Sequence, residues 1–241
     1  MNNLKHHLSR LIATASFAVV ACSILDSARG MAEDAVAVPA PLLQEPRQTE
    51  TGTEKAVLAG GCFWGMQAVF QHLKGVKNAV SGYAGGKADT AQYETVSTGT
   101  TGHAESVEVI FDPHVINYAT LLQVYFSVAH NPTELNFQGP DGGTQYRSAI
   151  FPQSDAQRQV AEAYIKQLGS AGTFPDPIVT SIEPAKAFYP AEDYHQDYAT
   201  LHPDSGYIAT YDLPKVENLS RLFPDLYSDT PKLVKDAGSP S

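Results

Sequence analysis

Cysteine is almost missing from this chain: its 241 residues include two, Cys22 and Cys62. Cys22 falls in the first 30 residues and Cys62 in the segment that reads as a folded domain, which excludes a disulfide inside that domain in any redox compartment. Positive charge is also scarce, with 16 Lys and Arg against 26 Asp and Glu and a net charge of −10. Phosphate backbones select clustered Lys and Arg, so no nucleic-acid partner is expected. No pair of Cys or His stands at metal-ligand spacing, no Gly-rich loop ends in Lys-Ser or Lys-Thr, and no repeat recurs; neither a metal nor another cofactor is expected. The apolar stretch Leu11 to Ala21 is too short to span a bilayer comfortably.

What is present suits one core. With 43% hydrophobic and 10% aromatic residues, the chain can build a single sizeable domain, expected over residues 54–228 and as a monomer. Residues 1–30 read as a signal peptide: Lys5 and Arg10 form a positive start, Leu11 to Ala21 the apolar core, and Ala28-Arg29-Gly30 a small-x-small exit. Export, to a periplasm-like compartment, is the expectation. Val19-Val20-Ala21-Cys22 also resembles a lipoprotein signal, which leaves a second outcome open, a lipid anchor on Cys22 in place of cleavage and loss of that residue. Residues 31–53 lack hydrophobic periodicity and read as a linker, and 229–241 as a disordered C-terminal tail.

Within the domain, Ala56 to Ala59 is a buried-strand pattern closed by Gly60 and Gly61, and Phe63 to Leu73 has helical spacing, with Met66, Val69, Phe70 and Leu73 on one side. Val76 to Tyr83 and Ser106 to Phe111 alternate as strands, Tyr118 to Val128 is an amphipathic helix, and Ser148 to Phe151 another strand. The capping box that starts at Ser154 opens a helix to about Leu168, and Ile178 to Ile182 is a last strand. From Tyr189 a Pro-, Asp- and Tyr-rich tail with helical stretches at 193–201 and 214–222 should wrap the core. This order predicts an α+β fold, a ferredoxin-like two-layer α/β sandwich with an extended C-terminal tail, in preference to a doubly wound sheet.

Cys62 therefore sits where a strand turns into a helix. The unpaired N–H groups of a first helical turn favour a thiolate, and the preceding glycines permit a tight entry, so Cys62 is a candidate nucleophile. A buried structural cysteine is the competing reading. Phe63 and Trp64 follow directly, and adjacent helix residues point apart, so either one of them lines a pocket or Trp64 is an ordinary core aromatic.

Five blocks carry a resemblance: Gly-Gly-Cys-Phe-Trp-Gly at 60–65, Gly-Tyr-Ala-Gly-Gly at 82–86, Gly-His-Ala-Glu at 102–105, Gly-Thr-Gln-Tyr-Arg-Ser at 143–148 and Ala-Glu-Asp-Tyr-His-Gln at 191–196. In this order they resemble the A-type peptide methionine sulfoxide reductases, over residues 55 to about 211. The resemblance implies reduction of methionine S-sulfoxide, in oxidised proteins or peptides and in the free amino acid, as repair of oxidative damage. That reaction needs a sulfur nucleophile, an acid for the departing oxygen, donors that polarise S=O and an apolar slot for the methyl group. By resemblance Cys62 is the nucleophile, Phe63 and Trp64 form the slot, Glu105 is the acid, and Tyr93 and Tyr146 bond the sulfoxide oxygen. For Glu105 to donate near neutral pH its pKa must be raised, which burial would do. Asp141 corresponds to the family's aspartate that fixes the substrate backbone or the tyrosines; a plain Asp-Gly turn is its other reading.

Many members of that family carry recycling cysteines near the C-terminus, whereas Ser205 to Tyr211 contains none. The resemblance then implies a one-cysteine cycle in which a thioredoxin-like dithiol reduces a Cys62 sulfenic acid. Pro140 before Asp141 and Asn131 after His130 also depart from the usual pattern. Two other classes stay open at this stage: a thiol-based oxidant sensor or binding module without efficient turnover, and a Cys–His hydrolase drawing its base from His103, His130 or His195.

Overall fold

The computed structural model describes residues 35–45 and 52–236. The signal-peptide stretch and Cys22 lie outside the described residues, as does 237–241. In chain order the elements are β1 (Glu54–Ala59), α1 (Phe63–Gln71), β2 (Val76–Ala84), α2 (Tyr93–Val96), β3 (Ala104–Phe111), α3 (Tyr118–Val124), the short ribbon β4 (Phe137–Gln138) and β5 (Asp141–Gly142), β6 (Ala149–Phe151), α4 (Asp155–Ser170), β7 (Ser181–Ile182), β8 (Phe188–Pro190), α5 (Tyr198–Leu201) and α6 (Leu213–Leu222). Two π-helical turns add to this: Tyr125–Ala129 continues α3 and Ile208–Asp212 leads into α6.

Six strands form one mixed sheet in the order β7-β6-β1-β3-β2-β8, antiparallel throughout except for the parallel β6–β7 pair. Period-two alternation divides the strands between two faces. Ala56 and Leu58 of β1 and Val107 and Val109 of β3 join the main core with α1, α3 and α4, whereas Val57, Ala59, Ala104 and Phe151 form a smaller cluster on the other face, covered by Phe188. Glu105 shares the parity of Val107 and pairs with Tyr83, so the register turns its carboxyl toward the helical layer.

Ser154 caps α4 by accepting from the Gln157 N–H at 3.1 Å, as the capping box predicts. The strand expected over 178–182 shrinks to two residues because the Val179 N–H bonds Pro132 O in a loop and Ser181 is the first to join β6.

Both flanks differ from their sequence reading. Residues 35–45 of the expected linker lie against the domain: Val36 N–H donates to Ser127 O at 3.0 Å, and Gln123, Tyr164 and Gln167 donate to the carbonyls of Val38, Pro39 and Ala40. Val38 is 5% exposed. The segment lacks periodicity because its backbone is met by side chains and not by a ladder, an arrangement no helix or strand pattern encodes. At the other end, Lys232 N–H donates to Gln71 O, and the N–H groups of Val234 and Lys235 to Asp197, so 229–236 of the expected disordered tail is bound to the domain.

Candidate active site

β1 ends at Ala59, and Gly61 makes the turn into α1 at φ +84, a conformation that disfavours any side chain. Cys62 is the N-cap of α1 and is 8% exposed. Burial pushes its thiol well above the ordinary range; the nearby Glu105, Asp212 and Asp141 carboxyls raise it further, and only the Trp64 N–H pulls it down. The helix terminus therefore does act on Cys62 in the expected direction, but burial, joined by the neighbouring carboxyls, outweighs it, and the resting residue is a thiol.

Glu105 is 3% exposed, and its Oε2 accepts from the Phe63 N–H at 3.1 Å. It thus meets the first turn of the helix that Cys62 caps. Burial pushes its carboxyl up to about 8, the Phe63 N–H works against the rise, and Asp141 and Asp212 add to it. Glu105 is consequently a protonated acid at neutral pH.

The aromatic residues divide. Phe63 is buried beneath the site, 5.9 Å from the Tyr83 ring and 5.1 Å from His195. Trp64 keeps exposed surface; it stacks on Tyr198 at 4.0 Å and 17°, meets Tyr207 edge-on, and donates from Nε1 to His195 Nδ1 at 3.2 Å. Glu192 holds this corner, with Oε1 accepting from the Tyr93 N–H and Oε2 from the Tyr83 hydroxyl. Tyr93 rests on His195 at 4.5 Å. Its hydroxyl is pushed up by burial and then by Glu105, Cys62 and Asp141, and that of Tyr146 by burial and then by Glu105, Asp141, Cys62 and Tyr93. The two tyrosines, the thiol and the acid thus lie in one electrostatic neighbourhood, although they come from four separate segments.

A small cleft opens on Cys62, walled by Gln138, Pro140, Asp141, Tyr207, Tyr211 and Lys215. Among the predicted site residues only Cys62 and Asp141 line it; Glu105 and Phe63 are buried beside it. Asp141 is no free turn residue: burial raises its carboxyl, and it accepts a short hydrogen bond from the Tyr207 hydroxyl. Pro140 lies on the cleft wall, whereas Asn131 closes a local turn, its Oδ1 accepting from the N–H and hydroxyl of Thr133. Sequence reasoning missed Glu192, Asp212 and Lys215 as site neighbours. One signal was available, Gly65, where any Cβ would collide with Asp212 Oδ1.

The histidines serve structure. His130 bonds Tyr125 O and Ser148 Oγ, and burial pulls it down to about 3. His103 bonds the Gly86 N–H and Lys87 O, and His195 takes the Trp64 indole N–H. With these partners none stands as the base a Cys–His hydrolase needs. Among the described residues no group of His, Cys, Asp and Glu is placed to hold a metal ion.

Arg147 braces the site from outside. It pairs with Glu183 through Nε at 2.7 Å and Nη2 at 3.0 Å, and donates to Thr144 O and Gly102 O. The turn that carries Tyr146 is thereby tied to the loop that leads into Glu105. Arg147→Ala should lower stability by about 2 kcal/mol and kcat/KM by roughly tenfold, as loosening of the loops beside Cys62 does. Thermal melts and steady-state kinetics check this; a less stable variant with full kcat/KM would mean that the two loops hold position without the clamp.

The family model for peptide methionine sulfoxide reductase matches residues 54–225. A curated relative from Mesorhizobium japonicum, "Peptide methionine sulfoxide reductase MsrA 2", is 64% identical over 188 residues, 78% of this chain and 96% of that protein. Among solved structures, reduced Mxr1 from Saccharomyces cerevisiae matches with a TM-score of 0.57 and 34% identity, over 68% of this chain and 92% of that one. Methionine sulfoxide reductase A of Corynebacterium diphtheriae matches with a TM-score of 0.54 and 35% identity, over 70% and 89%.

Proposed function

Because the chain belongs to the peptide methionine sulfoxide reductase family, we propose that it reduces methionine S-sulfoxide to methionine through Cys62. The observation that carries the mechanism is the juxtaposition of a thiol and a protonated buried carboxyl on one helical turn: Cys62 caps α1, and Glu105 accepts the very next N–H. The methyl group packs on Trp64, with Phe63 behind it, and the hydroxyls of Tyr93 and Tyr146 donate to the sulfoxide oxygen. Asp141, held by Tyr207, orients the substrate backbone. The Cys62 sulfur attacks the sulfoxide sulfur while Glu105 protonates the oxygen, and that oxygen ends on Cys62. Reduced methionine leaves; the proton from Glu105 stays on the sulfenic oxygen and the thiol proton returns to Glu105, so atoms balance without an external proton.

Recycling needs two electrons from outside, since the domain has no second thiol. One sulfur of a thioredoxin-like dithiol attacks the sulfenic sulfur and water departs; the second sulfur then breaks the mixed disulfide and restores Cys62. After one equivalent of substrate without reductant, mass spectrometry should find Cys62 heavier by a single oxygen, and an intramolecular disulfide would rule out the one-cysteine cycle. A coupled assay with both epimers of a peptide methionine sulfoxide and a dithiol should show repeated turnover of the S epimer alone. A single stoichiometric burst would instead mark an oxidant sensor.

Three further readings belong to the same proposal. The strand order β6-β1-β3-β2, with α1 and α3 as crossovers on one face, supports a ferredoxin-like core for the mixed α/β fold. The signal-like first 30 residues support export to a periplasm-like compartment, by cleavage or with a lipid on Cys22. The domain is read as a monomer.

A further inference from the structure

Lys215 is only 7% exposed, yet it lines the cleft that opens on Cys62. Its Nζ lies 4.0 Å from Asp212 Oδ1, one turn back along the chain, and its charge also pulls the Asp141 carboxyl down. Burying an ammonium is costly unless negative charge offsets it, and here two carboxyls do so. Asp212 is itself buried, seated against the first turns of α1 where Gly65 leaves the space. The final glycine of the Gly-Gly-Cys-Phe-Trp-Gly block is thus required by an acid from the far end of the chain, and that acid comes with its own cation.

We propose that Lys215 is a positioning residue for the reaction: its ammonium neutralises Asp212 and Asp141, so that the Cys62 sulfur can take on negative charge as it attacks. The groups that face Cys62 are Glu105 from β3, Asp141 from β5, Asp212 from the π-turn before α6, the phenols of Tyr93, Tyr146 and Tyr207, and Lys215 from α6. His130 also feels the Lys215 charge, but burial keeps it neutral. With Glu105 protonated, Asp141 and Asp212 act on Cys62 together with the Lys215 ammonium, and removing Lys215 makes these surroundings more negative by one charge. The inference rests on Cys62 as nucleophile and adds the residue that sets the field around it.

The test follows the rate of Cys62 alkylation by iodoacetamide against pH, on the full chain, with the modified site located by mass spectrometry. Lys215→Met should move the midpoint up by about one pH unit, which is about tenfold slower alkylation at any pH below both midpoints. Lys215→Arg, which keeps the charge, should stay within about threefold of the parent rate, and Asp212→Asn should move the midpoint down by a similar step. A parental profile in Lys215→Met, or an upward shift in Asp212→Asn, overturns the proposal. If Lys215→Met does not fold, Lys215→Gln, which removes the charge but keeps a polar head, takes its place with the same expected upward shift and the same overturning result. No sulfoxide is present in this measurement, so a variant that alkylates as expected yet reduces no sulfoxide counts against the assigned reaction and not against the role of Lys215.

Discussion

Cys62→Ser is expected to abolish sulfoxide reduction, with a loss of at least about 10⁴ in kcat/KM, because no other group can replace the sulfur. A serine hydroxyl at the N-cap is not ionised at any working pH, and an oxygen joined to the sulfoxide sulfur offers no route to a sulfenic acid. The chain has no second thiol within the domain that could substitute at lower efficiency. Structural cost should be small: serine is a preferred N-cap, and the volume change is slight, so stability should shift by no more than about 1 kcal/mol. Steady-state assays with a dithiol, set beside thermal melts, separate the two effects. Residual turnover in a folded Cys62→Ser variant would refute attack by this sulfur.

Glu105→Gln should cost about 10² to 10⁴ in kcat/KM. The amide keeps the shape and still accepts from the Phe63 N–H, so what is lost is the proton. The pH dependence is the sharper signature. Burial pushes Glu105 up to about 8, so kcat/KM of the parent should fall as pH rises through that value, and the limb should vanish in the Gln variant. A parent rate that keeps rising through this range would show that thiol ionisation, not proton donation, limits the step. Stability follows the same titration. The carboxyl's folded-state pKa lies above its unfolded value, so its contribution is fully present below the unfolded range and is lost as pH rises through about 8. The Gln variant should therefore lose less stability than the parent between the ordinary carboxylate range and about pH 8, which denaturant melts at a series of pH values would measure.

Much of the site was legible because its first half is local. Gly60 to Gly65 spells a strand end, a tight turn and a helix start within six residues, and that is enough to place a thiol at an N-cap. Glu105 was legible as a residue through its Gly-His-Ala-Glu block, but the strand read from alternation began at Ser106, and only the pairing of β3 with β2 sets its face. Its role as an acid depends on burial, and burial is a property of the packed whole. The thiol's state shows the same limit with the opposite sign. A helix N-terminus read alone favours a thiolate, but burial pushes the thiol the other way, and Asp212 and Asp141, which reach Cys62 from segments 150 and 79 residues away, add to that push.

The flanks were illegible for a different reason. Residues 35–45 and 232–235 bind through backbone groups to Gln123, Tyr164, Gln167, Gln71 and Asp197, partners that leave no periodic trace in the segments they hold.

Sequence by itself determined the chemistry available at Cys62: one thiol in the domain, no partner cysteine, and a turn that delivers it to the start of a helix. Those are matters of count and local conformation. Only the tertiary structure decided the field in which that thiol works, a neutral Glu105 below it and an Asp212–Lys215 pair beside it, because electrostatic energy depends on distance and on the exclusion of water, and both are created when the far end of the chain closes over the site.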